Sequence, residues 1–173
     1  GRALRDYQRV LRDVQQASAE LSVGPDELGD AIARLRDENK EARRSLKATQ
    51  GELAAFEAER LWRDAREEDG VRRIVMHLED RTFEQARAIG SLLSSRPLTL
   101  TLLAVSDAKG TRLVCQRSED MMQIDAAAVL SSAAKSLGGR GGGNAGQAQG
   151  GAPAHSHETI LDALRKAAVA APD

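Results

Sequence analysis

Gly138-Gly139-Arg140-Gly141-Gly142-Gly143-Asn144-Ala145-Gly146-Gln147-Ala148-Gln149-Gly150-Gly151 is the stretch on which the reading of this chain turns. Eight of these fourteen residues are glycine, out of fifteen glycines among 173 residues. Glycine reaches backbone angles closed to other residues and lets a ligand touch the main chain. The stretch is therefore a flexible tether, as glycine-rich segments often are, or a backbone-built binding loop. Three features favour the loop. Helical patterns flank it within one small domain, where a long structureless connection is uncommon and often functional. Serine is absent, while Arg140, Asn144, Gln147 and Gln149 supply side-chain donors. No acidic residue stands between Asp125 and Glu158, whereas Lys135, Arg140, His155 and His157 all do. Consecutive main-chain N–H groups in such loops form anion-binding concavities, and the helix start that follows adds its dipole. The sequence thus predicts a phosphate-contacting loop over 138–151. Its contact residues are Lys135, Gly138, Gly139, Arg140, Gly141, Gly142, Gly143, Asn144 and Gln147.

Upstream, the residues from 69 read as a small α/β domain. Val71 to Leu78 is rich in branched apolar residues and reads as a strand. Thr82 suits an N-cap for a helix whose apolar face includes Phe83, Ala86, Ile89, Leu92 and Leu93. Pro97 ends that helix, and Leu98 to Val105 is a second strand, expected to lie parallel to the first through the helical crossover. Asp107-Ala108-Lys109-Gly110 is a turn signal, after which Arg112 to Arg117 returns antiparallel. Asp125 to Leu137 reads as a helix leading into the glycines, and Ser156 to Ala170 as a last helix turning Ile160, Leu161 and Leu164 inward.

Residues 1–68 read as an antiparallel helical hairpin. Leu4, Tyr7, Leu11, Val14, Ser18 and Leu21 recur in steps of three and four, the spacing of one helix face. Ser22 to Glu27 interrupts, and Pro25 suits the first position of a second helix. That helix, from Pro25 to about Ala65, carries a regular heptad: Leu28, Ile32, Leu35, Asn39, Ala42, Leu46, Thr49, Leu53, Phe56. Asn39 at an a position is a device for fixing coiled-coil register. The first helix is too short to cover the second. Leu46, Leu53, Phe56 and Leu61 therefore need a further partner: the same helix of a second molecule, the preferred reading, or the domain that follows.

Composition narrows the functions. A formal net charge of -1 argues against a protein that coats nucleic acid by charge alone. Aromatics are 2 % (Tyr7, Phe56, Trp62 and Phe83), too few for a base-stacking single-strand binder. Cys115 is the only cysteine, which excludes an internal disulfide and a cysteine-based zinc knuckle. No apolar run has transmembrane length and no signal-peptide pattern opens the chain, so the expected setting is cytoplasmic and reducing. Gly1 stands without a preceding methionine, as in a piece of a longer protein. The glycines lack the Gly-Lys-Ser/Thr of a Walker loop, and they follow a helix where a dinucleotide fingerprint follows a strand.

Lys135 to Gly151 resembles the glycine signature of the DHH-associated C-terminal domain of alanyl-tRNA synthetase, shared with long freestanding alanyl-tRNA editing proteins. Gly1-Arg2-Ala3-Leu4-Arg5-Asp6-Tyr7 resembles the junction at which the editing domain of the freestanding proteins enters its helical hairpin. The resemblance implies a region that dimerises and grips tRNA, by its family tRNA(Ala), beside a zinc-dependent domain that hydrolyses mischarged tRNA. That domain's His-x-x-x-His and Cys-x-x-x-His motifs are missing: the histidines are His77, His155 and His157, and no histidine stands four residues after Cys115. The phosphoesterase Asp-His-His motif is missing too. No catalytic residue, resident metal or cofactor is expected in this chain, zinc belonging to the absent editing domain.

The remaining candidates weigh toward structure. His155-x-His157 lacks acid or thiolate partners in sequence and reads as loop or cap; His77 reads as a core or edge residue. Cys115 in an apolar strand reads as an inert small hydrophobe. Arg72-Arg73 stands at a strand start, either solvated or near nucleic acid, and Arg43, Arg44 and Lys47 read as a solvated helix face. The sequence therefore predicts an α/β chain, a helical hairpin followed by a mixed sheet flanked by helices, acting as a non-catalytic tRNA-binding, homodimeric module. The alternatives are the substrate-binding domain of a DHH-type phosphoesterase and a purely structural oligomerisation domain.

Overall fold

The computed structural model describes residues 1–68 and 70–170. The chain divides into two compact units, Gly1–Thr49 and the residues from Gln50 onward. In the first unit, α1 (Arg2–Leu21) ends where Ser22 turns left-handed at φ 53°, ψ 41°. The N–H groups of Ser22 and Val23 then return to the carbonyls of Ala19 and Ser18, satisfying the last turn. Pro25 lies in the connecting turn, not at the start of a helix as its position in sequence predicts. The Gly24 N–H donates to the Glu27 carboxylate and the Glu27 N–H to the Gly24 carbonyl, so the turn closes on itself. Consequently α2 (Leu28–Asp64) begins three residues after the proline. Leu4, Tyr7, Val10 and Leu11 on α1, and Ile32, Leu35 and Leu46 on α2, are all exposed. Only Ser18 and Ala31 are buried among the described residues of this unit, which thus has no core of its own.

The second unit is a six-stranded sheet in the order β1-β2-β3-β4-β6-β5. Its first members are β1 (Glu67–Glu68), β2 (Val71–His77), β3 (Thr99–Asp107) and β4 (Gly110–Arg117). The expected crossover is present: β2 and β3 are parallel, joined through α3 (Phe83–Ser94). Thr82 caps α3 in a full capping box with Gln85, each side chain accepting from the other's backbone N–H. The hairpin signal at Asp107 to Gly110 pairs β4 antiparallel to β3. Every residue from Thr99 to Val105 is buried, the pattern of a central strand covered on both faces.

Two cores result. On one face α3 packs over β3 and β4, and the last turns of α2 join it: Ala54, Ala58 and Leu61 are buried with Ile74, Phe83, Ile89 and Val105. On the other face α4 (Ala126–Ser136) and α5 (His157–Val169) cover Leu100, Leu102, Leu113 and Cys115. Both helices lie where the sequence predicts them, α4 capped by Asp125 and α5 by Ser156.

The glycine segment differs from the predicted loop. It is a β-hairpin, β5 (Arg140–Gly143) and β6 (Gln147–Ala152), and β6 pairs with β4 to extend the sheet. Register explains the composition. Gly141 faces Gly150 and Leu113, and Gly143 faces Ala148 and Cys115, along the side covered by α4. A Cβ on Gly141 would collide with the Cδ2 of buried Leu130 on that helix. Leu130 of α4 leaves no room for a side chain at Gly141, and the facing strand's own atoms crowd Gly139 and Gly143, demands that leave no apolar alternation in the sequence.

Candidate functional site

The side of this hairpin away from α4 is uncovered. Alternation turns Arg140, Gly142, Gln147 and Gln149 to that side, and all four are exposed. Arg112 of β4, Gly151 of β6 and Arg140 of β5 occupy one cross-strand row, so the two arginines share a face with a glycine between them. The next row places Val114, Gln149 and Gly142 side by side. This is a flat surface of bare main chain edged by cations and amides.

Two clefts open on it. One, of about 730 Å³, holds Lys109, Arg112 and Arg140 together with Gly139 and Asp107. Arg112 is stacked on the Phe83 ring, its guanidinium carbon 3.6 Å from the ring centre, which fixes its position. The other, of about 410 Å³, runs between α3 and the hairpin, with Arg87, Gly142, Gly143, Asn144, Gln147 and Gln149 in its wall. Asn144 builds its end: its side-chain oxygen accepts from the N–H groups of both Gly146 and Gln147, at 2.9 Å each. That carbonyl is spent on the turn. β5 is the outermost strand, and pairing alternates along it, so Gly141 and Gly143 direct their main-chain groups away from β6. The Gly141 carbonyl accepts from Ser131 Oγ at 3.4 Å.

Of the predicted contact residues, Arg140, Gly139, Gly142, Gly143, Asn144 and Gln147 line these clefts. Gly141 turns toward α4. Gly138 sits at φ 66°, ending α4 ahead of the hairpin. Lys135 is exposed in the last turn of α4, the helix on the opposite side of the sheet, and lines neither cleft. The start of α5 does not meet the glycines, so its dipole is directed elsewhere. Sequence reading missed Arg87, Lys109 and Arg112. Strand alternation through Gln147-Ala148-Gln149-Gly150 could have revealed the open face, but these three residues lie on other elements and meet it only in the fold.

Other candidates resolve into structure. Arg72 donates to the carbonyls of Trp62 and Ala65, at 3.0 and 2.9 Å, and stacks on Trp62 4.2 Å from the ring centre, so it holds the end of α2. His155 bonds through Nε2 to the Leu137 carbonyl at 3.0 Å. Cys115 is fully buried, and burial, followed by the charge of Asp125, pushes its thiol up to about 12, so it is not a nucleophile. Leu46, Leu53 and Phe56 are 57 %, 49 % and 77 % exposed, whereas Leu61, grouped with them as an apolar residue needing a further partner, is 5 % exposed in the core beside Ile74 and Phe83. The globular part itself covers that last turn, so Leu61 is not open to a second molecule.

No family model matches the chain. Alanine–tRNA ligase from Herminiimonas arsenicoxydans is 28 % identical over 151 residues, 86 % of this chain and 17 % of the relative. The ligase from Aromatoleum aromaticum is 30 % identical over 157 residues, 88 % of this chain and 18 % of the relative. The chain thus spans under a fifth of the length of these curated relatives. Among solved structures, the C-Ala domain of Aquifex aeolicus alanyl-tRNA synthetase matches with TM-score 0.51 and 23 % identity, over 56 % of this chain and 90 % of that domain. RecJ from Thermus thermophilus matches with TM-score 0.54 and 17 % identity, over 89 % of this chain and 26 % of that one. These two likenesses are of fold.

Proposed function

We propose that this chain, a relative of the alanyl-tRNA synthetases with the fold of a C-Ala domain, is a non-catalytic module that holds tRNA against the open face of its glycine hairpin. The observation that carries the reading is the shared row of Arg112 and Arg140 beside bare main chain, with Lys109 and Arg87 in the adjoining clefts. Phosphates need positioned cations and N–H donors, and a ribose-phosphate backbone needs a surface free of bulky side chains. Arg87, Lys109, Arg112 and Arg140 supply the cations, Gly142 and Gly151 keep the face free of bulk, and the outer edge of β5 directs the main-chain groups of Gly141 and Gly143 away from β6. The tRNA is tRNA(Ala), and the module serves an aminoacylating or editing partner domain that carries its own zinc. Its setting is the cytoplasm; no helix among the described residues is long and apolar enough to cross a membrane.

A second reading adds to the first: the exposed Leu46, Leu53 and Phe56 form the contact between two copies, giving a homodimer. Contiguous exposed apolar side chains mark interaction surfaces.

Anisotropy titration of labelled tRNA(Ala) over a salt series tests the proposal. Binding that weakens linearly in log–log form with salt, and that di- and trinucleotides do not compete, supports it. Equal competition by short oligonucleotides would transfer the site to a phosphoesterase-like role. Absence of RNA binding at low salt, with tight self-association, would leave only the structural role.

A further inference from the structure

His77 and His157 stand eighty positions apart in sequence, yet their Nδ1 atoms lie 3.0 Å from each other. His77 is the last residue of β2 and is buried; His157 is the first of α5. Glu79, in the turn after β2, places Oε1 3.2 Å from the same His157 nitrogen. One ligand atom from each of the three residues lies within 4.8 Å of the others. The cluster sits beyond the carboxyl ends of the parallel strands β2 and β3, where open α/β sheets commonly bind ligands.

We propose that His77, Glu79 and His157 form a binding site for one divalent transition-metal ion of the zinc class, with a fourth position open to water. Geometry and donor chemistry carry this. Two ligands of a tetrahedral zinc ion with bonds of about 2.0–2.1 Å stand roughly 3.3 Å apart, close to the two short separations here. Glu79 is exposed, and its carboxylate oxygen lies within 4.8 Å of the ligand atom of His77 as well. Ser106, near the end of β3, lies with its Oγ 3.0 Å from His77 Nε2. A proton on Nε2, donated to that oxygen, leaves the lone pair on Nδ1, which is how metal-binding histidines are usually oriented. Two imidazoles and one carboxylate suit zinc, cobalt or nickel, and not magnesium or calcium, which prefer all-oxygen sites. The positive end of the α5 dipole opposes a cation here, and the Glu79 carboxylate offsets it. The bound ion would tie the start of α5 to the end of β2.

The test uses the whole 173-residue chain without a histidine tag, freed of metal by chelation. Titrated Co2+ should bind at one equivalent with the visible absorption of a four-coordinate site, and Zn2+ should displace it. Zn2+ should also raise Tm. His157→Ala and Glu79→Gln, both at exposed positions, should weaken Co2+ binding at least tenfold while circular dichroism shows the fold intact. His155→Ala, which removes a bond to Leu137 outside the cluster, should leave binding unchanged. Loss of binding only in His157→Ala, with Glu79→Gln unaffected, would overturn the three-ligand site. So would the absence of saturable binding at one equivalent, or equal losses in His155→Ala and His157→Ala. None of these results depends on RNA binding.

Discussion

Gly139 and Ala152 approach so closely that a Cβ added to Gly139 would stand 2.7 Å from both the Cα and the Cβ of Ala152. Real Cβ atoms do not occupy such positions, and the obstacle includes main chain, so the strands themselves would have to part. Gly142, three residues on, has nothing within 4 Å of a Cβ, because it lies on the open face. Gly139→Ala should therefore destabilise the protein by about 1–3 kcal/mol, while Gly142→Ala should stay within about 0.5 kcal/mol of the parent. Urea unfolding of the two variants separates them.

The same open face gives a binding prediction free of folding effects. Gly142→Glu places a bulky anion in the cleft with Arg87, Gln147 and Gln149, and its Cβ has nothing within 4 Å. tRNA affinity should fall at least tenfold with Tm nearly unchanged. Arg140→Ala should weaken binding and reduce the slope of log affinity against log salt by about one; an unaltered slope would remove Arg140 from the phosphate contacts.

Phe56, at 77 % exposure, belongs to neither of the two buried cores among the described residues. Phe56→Asp should weaken self-association at least tenfold in sedimentation equilibrium. Its effect on monomer stability should remain near 0.5 kcal/mol. Leu61→Ala, by contrast, opens the core and should cost about 2–5 kcal/mol.

Cys115 should ignore thiol reagents in the native protein. Its sulfur is fully buried and its pKa is pushed up to about 12, so almost no thiolate exists at neutral pH. Labelling with a chromogenic disulfide should require denaturant; rapid native labelling would show that the α4 side of the sheet opens.

Asp120 clamps the start of β3. Its carboxylate accepts from the Ser118 hydroxyl and, at 3.1 and 3.0 Å, from the N–H of Leu98, itself held at φ 48°. The Ser118 hydroxyl first, and then the Leu98 N–H, lower its pKa against an opposing desolvation. A carboxylate with a lowered folded-state pKa contributes stability that is complete above the unfolded value of about 3.9 and is lost as pH falls through the folded value. Asp120→Asn should thus flatten the loss of stability in acid below about pH 4, measured by Tm against pH.

Local signals made most of the fold legible. Thr82, Asp125 and Ser156 each cap the helix predicted for them, and the branched run at Thr99 to Val105 is the central strand. Pro25 misled because side-chain bonding at Glu27, invisible to propensity, closes a turn first. Leu61 lies beyond the heptad, which ends at Phe56, and its apolar side chain is buried in the core with Phe83. The glycines announced a special backbone without announcing a strand, since the pressure against side chains comes from Leu130 at Gly141 and from the facing strand at Gly139 and Gly143, neighbours set only by the fold. The cluster of His77, Glu79 and His157 was out of reach for the same reason: its members meet only once β2 and α5 are placed.

Because β5 and much of β6 consist of main chain, the surface they offer has almost no removable part. Truncation to alanine, the ordinary way to map a recognition surface, adds atoms at these positions. At Gly139, Gly143 or Gly150 it would report on strand separation instead of on the ligand. Contacts there are open to atom-level exchange of the backbone, such as an ester in place of one amide, which deletes a single N–H donor. Under the proposed function such main-chain contacts would tolerate drift in neighbouring side chains, whereas those of Arg112 and Arg140 would not.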